Sequence, residues 1–216
     1  MAPLYQLKRS VSEMIVVLIS YLFLSVVVFS LTGCSVNNIP AYEEAVDTAW
    51  SQVINQYKRR TDLIPKLVNT VKDFAKKEKE VLKQVVEARN KANRFKLPGN
   101  ILTNSEAFKK FQKSQDRISS ALSRLMVVAE NYPELKSDQN FMALKSQLEG
   151  IEGRISVARR DYIEAVEKYN TELRTIPGRW WKSLMYKDSV PRENFTTSES
   201  VDSRQKSGSD DLKEKG

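Results

Sequence analysis

Histidine is missing from the 216 residues, and Cys34 is the only cysteine. Without histidine, the usual zinc sites, Ser-His-Asp triads and Cys-His pairs are excluded, as are the Glu-x-x-His repeats of bundle di-iron centres. Without a second cysteine no intrachain disulfide can form. Glycine is scarce, and Gly150-Ile151-Glu152-Gly153 has neither phosphate-loop spacing nor a preceding strand. Those glycines are expected to mark close helix approach or a local weak point, at about 1 kcal/mol each against alanine. No cofactor and no metal are expected. The acid-base groups that remain are tyrosines and carboxylates such as Glu43, Glu44, Asp47, Glu78 and Glu152, none in a recognisable pair.

Charge is also missing between Glu13 and Glu43, where an apolar stretch from Met14 through Phe29 comes after Lys8 and Arg9. Residues 1–33 therefore read as a targeting segment, and the basic flank places the chain beyond that stretch outside the cytoplasm. Leu31-Thr32-Gly33-Cys34 resembles the lipobox of bacterial lipoproteins, in which the cysteine is lipidated and becomes the mature N-terminus. Two or more acyl chains on Cys34, palmitate among them, would hold the domain firmly. The alternative is an uncleaved transmembrane helix, since Met14 to Gly33 is long enough to span a bilayer. The lipoprotein reading is favoured, and both give a helical domain membrane-anchored at the bacterial cell envelope.

What is present beyond Cys34 is helical periodicity. Pro40, Pro65, Pro98, Pro133 and Pro177 punctuate four intervals. In the first, Tyr42, Val46, Trp50, Val53 and Tyr57 make one apolar face ending at Lys58-Arg59-Arg60, after which Thr61 or Asp62 is expected to cap a second helix with Pro65 in its first turn. The second carries Ile64, Leu67, Val71, Phe74, Glu78, Val81, Val85, Ala88 and Ala92 in three-four alternation. The third carries Phe108, Phe111, Gln115, Ile118, Leu122, Leu125, Ala129 and Tyr132 behind a capping-box pattern at Thr103-Asn104-Ser105-Glu106. The fourth runs from Phe141 through Ile155 and Tyr162 to Glu172 and Ile176 as one long helix. The expected fold is all-α, an antiparallel up-and-down four-helix bundle over residues 41–177. A linker at 34–40 precedes it; a Trp/Arg-containing extension at 178–195 and a disordered polar tail at 196–216 come after it.

Ala49-Trp50-Ser51-Gln52 followed by Lys58-Arg59-Arg60-x-Asp62-Leu63-Ile64-Pro65-x-Leu67-Val68 resembles the signature of the LemA family. Ala88-Arg89, Glu130-x-Tyr132-Pro133-Glu134-Leu135-Lys136, Asn140-Phe141, Arg154-Ile155-x-x-Ala158-Arg159-Arg160-x-Tyr162 and Tyr169-Asn170-Thr171 extend it over roughly 41–177. The resemblance implies a membrane-attached, outward-facing helical bundle and supplies no catalytic residues to carry over. The chain departs from the family's usual pattern at Cys34 and at Gly178-Arg179-Trp180-Trp181-Lys182.

Two groups of side chains stand out. Arg59, Arg60, Asp62, Glu152, Arg154, Arg159 and Arg160 are candidates for a partner-binding or register-fixing ion-pair network, with Asp62 expected to meet an arginine of the last long helix. Arg179, Trp180, Trp181 and Lys182 are candidates for a membrane interface, because an up-and-down bundle returns them to the anchored pole; the alternative is that both rings cap the bundle's apolar end. Lys and Arg number 35 against 27 Asp and Glu, a net charge of +8. In an exported protein that excess suits anionic headgroups or wall polymers rather than nucleic acid. The expected role is a non-catalytic envelope scaffold with membrane lipid and an envelope protein, or a second copy of itself, as partners. An envelope hydrolase using only carboxylates is the alternative.

Overall fold

A computed structural model describes residues 14, 16–23, 25, 36–74 and 77–196. Those residues are all-helical, without a strand. Met14, 16–23 and 25 are helical and exposed. Among the described residues no helix is long and apolar enough to cross a membrane. Cys34, much of the expected targeting segment and the tail beyond 196 lie outside the described residues.

The first helix, α1 (Asn38–Phe74), is 37 residues long and runs straight through the expected break at Thr61 and Asp62. The apolar face does not end at Arg60, because Arg60 itself takes the seam position. Val46, Trp50, Val53, Tyr57, Arg60, Ile64, Leu67 and Val71 keep one unbroken three-four alternation. Pro65 inside a helix removes the amide that would bond the Thr61 carbonyl. That carbonyl instead accepts a hydrogen bond from Arg89 Nε at 3.3 Å, so the neighbouring helix supplies the missing donor. The break expected at Thr61 or Asp62 falls between Phe74 and Lys79, where α2 (Lys79–Arg94) begins.

A buried 3₁₀ turn at Ile101–Thr103 leads into α3 (Ser105–Ala129). Asn104 is its N-cap, with Oδ1 accepting from the Ala107 amide at 3.0 Å. Glu106 does not complete a capping box, because with Asn104 and not Thr103 as the N-cap it stands at the second helical position; its carboxylate pairs with Lys110 at 2.6 Å. The expected long last helix is present from Phe141 to Glu172 and stops short of Ile176, with a separate turn before it. One turn, α4 (Pro133–Ser137), precedes α5 (Gln139–Glu172), and Asp138 caps α5 by accepting from the Phe141 amide at 2.7 Å. A short α6 (Gly178–Leu184) comes next. Gly178 lets it turn back, since a Cβ there would lie 2.2 Å from the Glu172 carbonyl oxygen. Gly150 and Gly153, expected at a close helix approach or a local weak point, are exposed and not at a close approach; a Cβ on Gly153 would meet nothing within 4 Å.

Pairs of contacts set how the long helices lie. Asn38 Nδ2 donates to Glu172 Oε1 at 3.4 Å and Arg60 pairs with Glu152 at 3.0 Å, so numbers rise along α1 as they fall along α5. Tyr132 donates to Glu78 at 3.1 Å and Arg124 to Gln84 at 3.3 Å, which relates the end of α3 to the start of α2 in the same way. Between them lies one continuous core that includes Val53, Leu67, Val85, Ile118, Leu125, Ile155 and Val166.

After α6 the chain becomes a strap that packs along the helices. The Asn170 side chain bonds the Arg192 backbone in both directions, at 2.9 and 2.8 Å. Tyr162 donates to the Glu193 carbonyl at 2.7 Å, and the Glu193 amide donates to Leu102 O at 2.7 Å. Arg192 forms an ion pair with Glu43 of α1. Phe195 is buried and enters an aromatic cluster with Trp50, Phe108 and Tyr162, at centroid separations of 6.3, 5.0 and 5.5 Å. Part of the expected C-terminal extension is therefore joined to the core.

Candidate functional site

The largest fully buried side chain is a cation. Arg60 has no solvent exposure, and its guanidinium bridges three helices. Nη1 donates to Ser119 Oγ on α3 at 2.6 Å and to Glu152 Oε1 on α5 at 3.0 Å. Nη2 donates to the Gln115 side chain at 2.9 Å and to the Gln115 carbonyl at 3.2 Å. Tyr57, one turn before it on α1, sits beneath the guanidinium at 5.0 Å from its ring centroid. Only Nε is left without a partner. A charge so deep is tolerated when its partners nearly complete its hydrogen bonding, and arginine's planar fork makes that possible here.

This node floors a cleft of about 420 Å³ between α1, α3 and α5 whose rim carries Asp116, Ser156, Arg159 and Arg160. Its rim is open to water, since Asp116, Ser156 and Arg160 are exposed and the Glu152 side chain is 38% accessible. Burial pushes the Tyr57 phenol above its usual range, with Arg159 and Arg60 acting in the opposite direction. The phenol therefore stays protonated at neutral pH. Glu152 is held by Arg60. Two carboxylates thus line one cleft, but one of them is committed to a structural cation.

The seven charged candidates separate into distinct places. Arg60 and Glu152 meet, and Arg159 and Arg160 line the same cleft. Arg159 stacks over Phe195 at 4.4 Å, tying the node's surroundings to the strap. Arg160 reaches Asp161 at 3.5 Å and Glu164 at 3.9 Å on its own helix. Arg59 and Arg154 are exposed. Asp62 is exposed too, and the expected Asp62–arginine pair is not formed among the described residues. Because α1 continues past it, Asp62 faces a different groove, beside Phe95 and Leu97. The carboxylate that meets the helix-bridging arginine is Glu152. Gln115, Ser119 and Asp116 are not among the expected site residues, although Gln115 is visible in the sequence as the one polar break in its seam.

The second group lies at the end where α1 begins and α5 ends, as the Asn38–Glu172 bond shows. Arg59–Asp62, in contrast, lies about 33 Å along α1 from Asn38 at ~1.5 Å per residue, near mid-length and not at the far pole. The two tryptophans differ in burial. Trp181 is half-buried against the core, whereas Trp180 is 63% exposed. Ile176, Leu184 and Met185 are exposed around it. Between the end of α5 and α6 lies a cleft of about 590 Å³ lined by Leu173, Arg174, Arg179, Lys182, Ser183 and Lys187.

Two curated relatives, Magnetosome protein MamQ 1 and Magnetosome protein MamQ 2 of Paramagnetospirillum magneticum, are each 33% identical to this chain over 76 residues. The shared stretch is 35% of this chain and 27% of each relative, so the chain spans little more than a quarter of the length of the relatives it matches. A family model covers much more. It matches residues 49–207, from the helix turn that carries Trp50 through the Arg60 node and beyond the strap, and the chain belongs to the LemA family.

Proposed function

We propose that this protein is a membrane-anchored scaffold of the bacterial envelope, in which α1, α2, α3 and α5 form an antiparallel up-and-down four-helix bundle that presents exposed helix faces to a protein partner. The observation that carries this reading is the Arg60 node. The deepest polar group in the described fold is used up in joining three helices, so the polar interior serves helix register in place of substrate chemistry. Anchoring is supported by the uncharged apolar stretch and the lipobox-like Leu31-Thr32-Gly33-Cys34, with Cys34 as the lipidated residue. The partner is an envelope protein, a second copy of this chain included. The two magnetosome proteins share a stretch of 76 residues with this chain, consistent with related sequences serving different assemblies.

Asp116 in the same cleft as Glu152 is the observation that favours the second reading, a hydrolase working through carboxylates. Asp116→Asn separates the two. Site-specific crosslinking in intact envelopes should capture the same partner at the same yield from Asp116→Asn as from the native chain, and cells carrying it should keep the native phenotype. Loss of the phenotype with the partner still captured would favour the hydrolase. Labelling with an alkyne analogue of palmitate should disappear in Cys34→Ala; persistent label would overturn the lipidation.

A further inference from the structure

The cleft between the end of α5 and α6 is lined by four cations, Arg174, Arg179, Lys182 and Lys187, and by no carboxylate. None of the four forms an ion pair among the described residues, whereas Arg60 and Arg192 each do. Arg174 Nε is occupied by the Asn170 carbonyl at 3.1 Å, leaving the rest of its fork outward. Unneutralised cations gathered in one concavity repel one another, and an anion relieves that repulsion. On and next to α6, whose residues line the cleft, Ile176, Trp180, Leu184 and Met185 are exposed apolar side chains, between 58 and 71% accessible.

We propose that this cleft takes the phosphate headgroup of an anionic phospholipid while Trp180, Leu184 and Met185 enter the membrane interface. Cations beside an exposed tryptophan and aliphatic side chains match the layering of a leaflet, in which phosphate lies above the acyl boundary. Position supports the same occupant. The cleft is at the end of the described fold where α1 begins, which is where the uncharged stretch before Asn38 joins it in sequence. A free anion would leave the apolar side chains next to the cations unused; a lipid surface uses both. The inference rests on the anchoring reading above and adds to it a second, lipid-selective contact that orients the helical body.

The test uses the full-length chain in nanodiscs of phosphatidylcholine alone or with phosphatidylglycerol, each with brominated acyl chains that quench tryptophan. Quenching should be at least about threefold stronger in the phosphatidylglycerol discs and should fall to the phosphatidylcholine level in Arg179→Glu/Lys182→Glu, with helicity unchanged. Trp180→Phe, which keeps the cations, should remove most of the quenchable signal. Equal quenching in both lipids, or a charge-reversed variant that quenches normally, overturns the proposal. So does binding of soluble glycerol phosphate in the absence of discs with no difference in quenching between the two lipids, which would mark a free-phosphate site. Failure to co-float with either disc overturns the anchoring reading and this proposal together; co-flotation without quenching overturns this proposal alone.

Discussion

Arg60 and Arg179 are the same side chain in opposite situations. Arg60 is wholly buried and meets Ser119, Gln115 and Glu152; Arg179 lines an open cleft with three other cations and no counter-charge. The first arrangement is complete in the folded chain. The second is completed by something outside it. The contrast locates structure and recognition in different parts of one molecule, with a self-contained middle and a basic, apolar-edged end beside the start of α1.

The largest effect should come from the middle. Arg60→Ala leaves Glu152, Gln115 and Ser119 without their shared donor. Glu152, 38% accessible, is rehydrated, so the loss comes from the unpaired Gln115 and Ser119 groups and the cavity, on the order of 2–4 kcal/mol. Urea unfolding of the full-length chain in detergent should show a clearly lowered midpoint, and an unchanged midpoint would remove the node from the account. Arg60→Lys should recover only part of the loss, because an ammonium lacks the planar fork.

Phe195→Ala asks whether the strap belongs to that middle. Its ring is buried among Trp50, Phe108 and Tyr162, and truncating a core phenylalanine costs about 3 kcal/mol or more. Thermal melts monitored by circular dichroism should shift downward, whereas a strap merely resting on the surface would leave them in place. Arg179→Ser/Lys182→Ser should do the least, within about 0.5 kcal/mol of the native chain, since neither cation makes an ion pair in the described fold. A loss as large as that of Arg60→Ala would erase the distinction between the two regions.

Much of the fold is readable from spacing alone. The seam residues of α3, from Phe108 to Ala129, are buried as the three-four alternation requires. Spacing misleads where polar seam positions look like interruptions. Arg60 looks like the end of an apolar face, which moves a helix boundary to Thr61 and places Pro65 in a first turn. In the fold the polar seam members find partners across helices: Arg60 with Gln115, Glu78 with Tyr132, and Glu172 with Asn38. Each is the kind of contact that fixes helix register. A proline in mid-helix is not recognisable from the local sequence, because the donor that serves the Thr61 carbonyl, Arg89, lies 28 residues away.

The strap is hidden for a different reason. Residues 185–196 have no periodicity, and their attachment depends on backbone groups of Arg192 and Glu193 meeting Asn170, Tyr162 and Leu102. Side-chain patterns carry no signal of that kind. The two tryptophans are legible as a pair but not as individuals, since one turn of α6 decides which ring packs inward and which stays out.

The central claim is that the molecule has a lipid-facing end and a self-contained middle. A photocrosslinking amino acid placed at Trp180 or at Arg59, in otherwise native full-length protein irradiated in intact membranes, tests it most directly. The account predicts phospholipid adducts from position 180 and none above background from position 59. Equal lipid adducts at both positions, or none at 180, would contradict it.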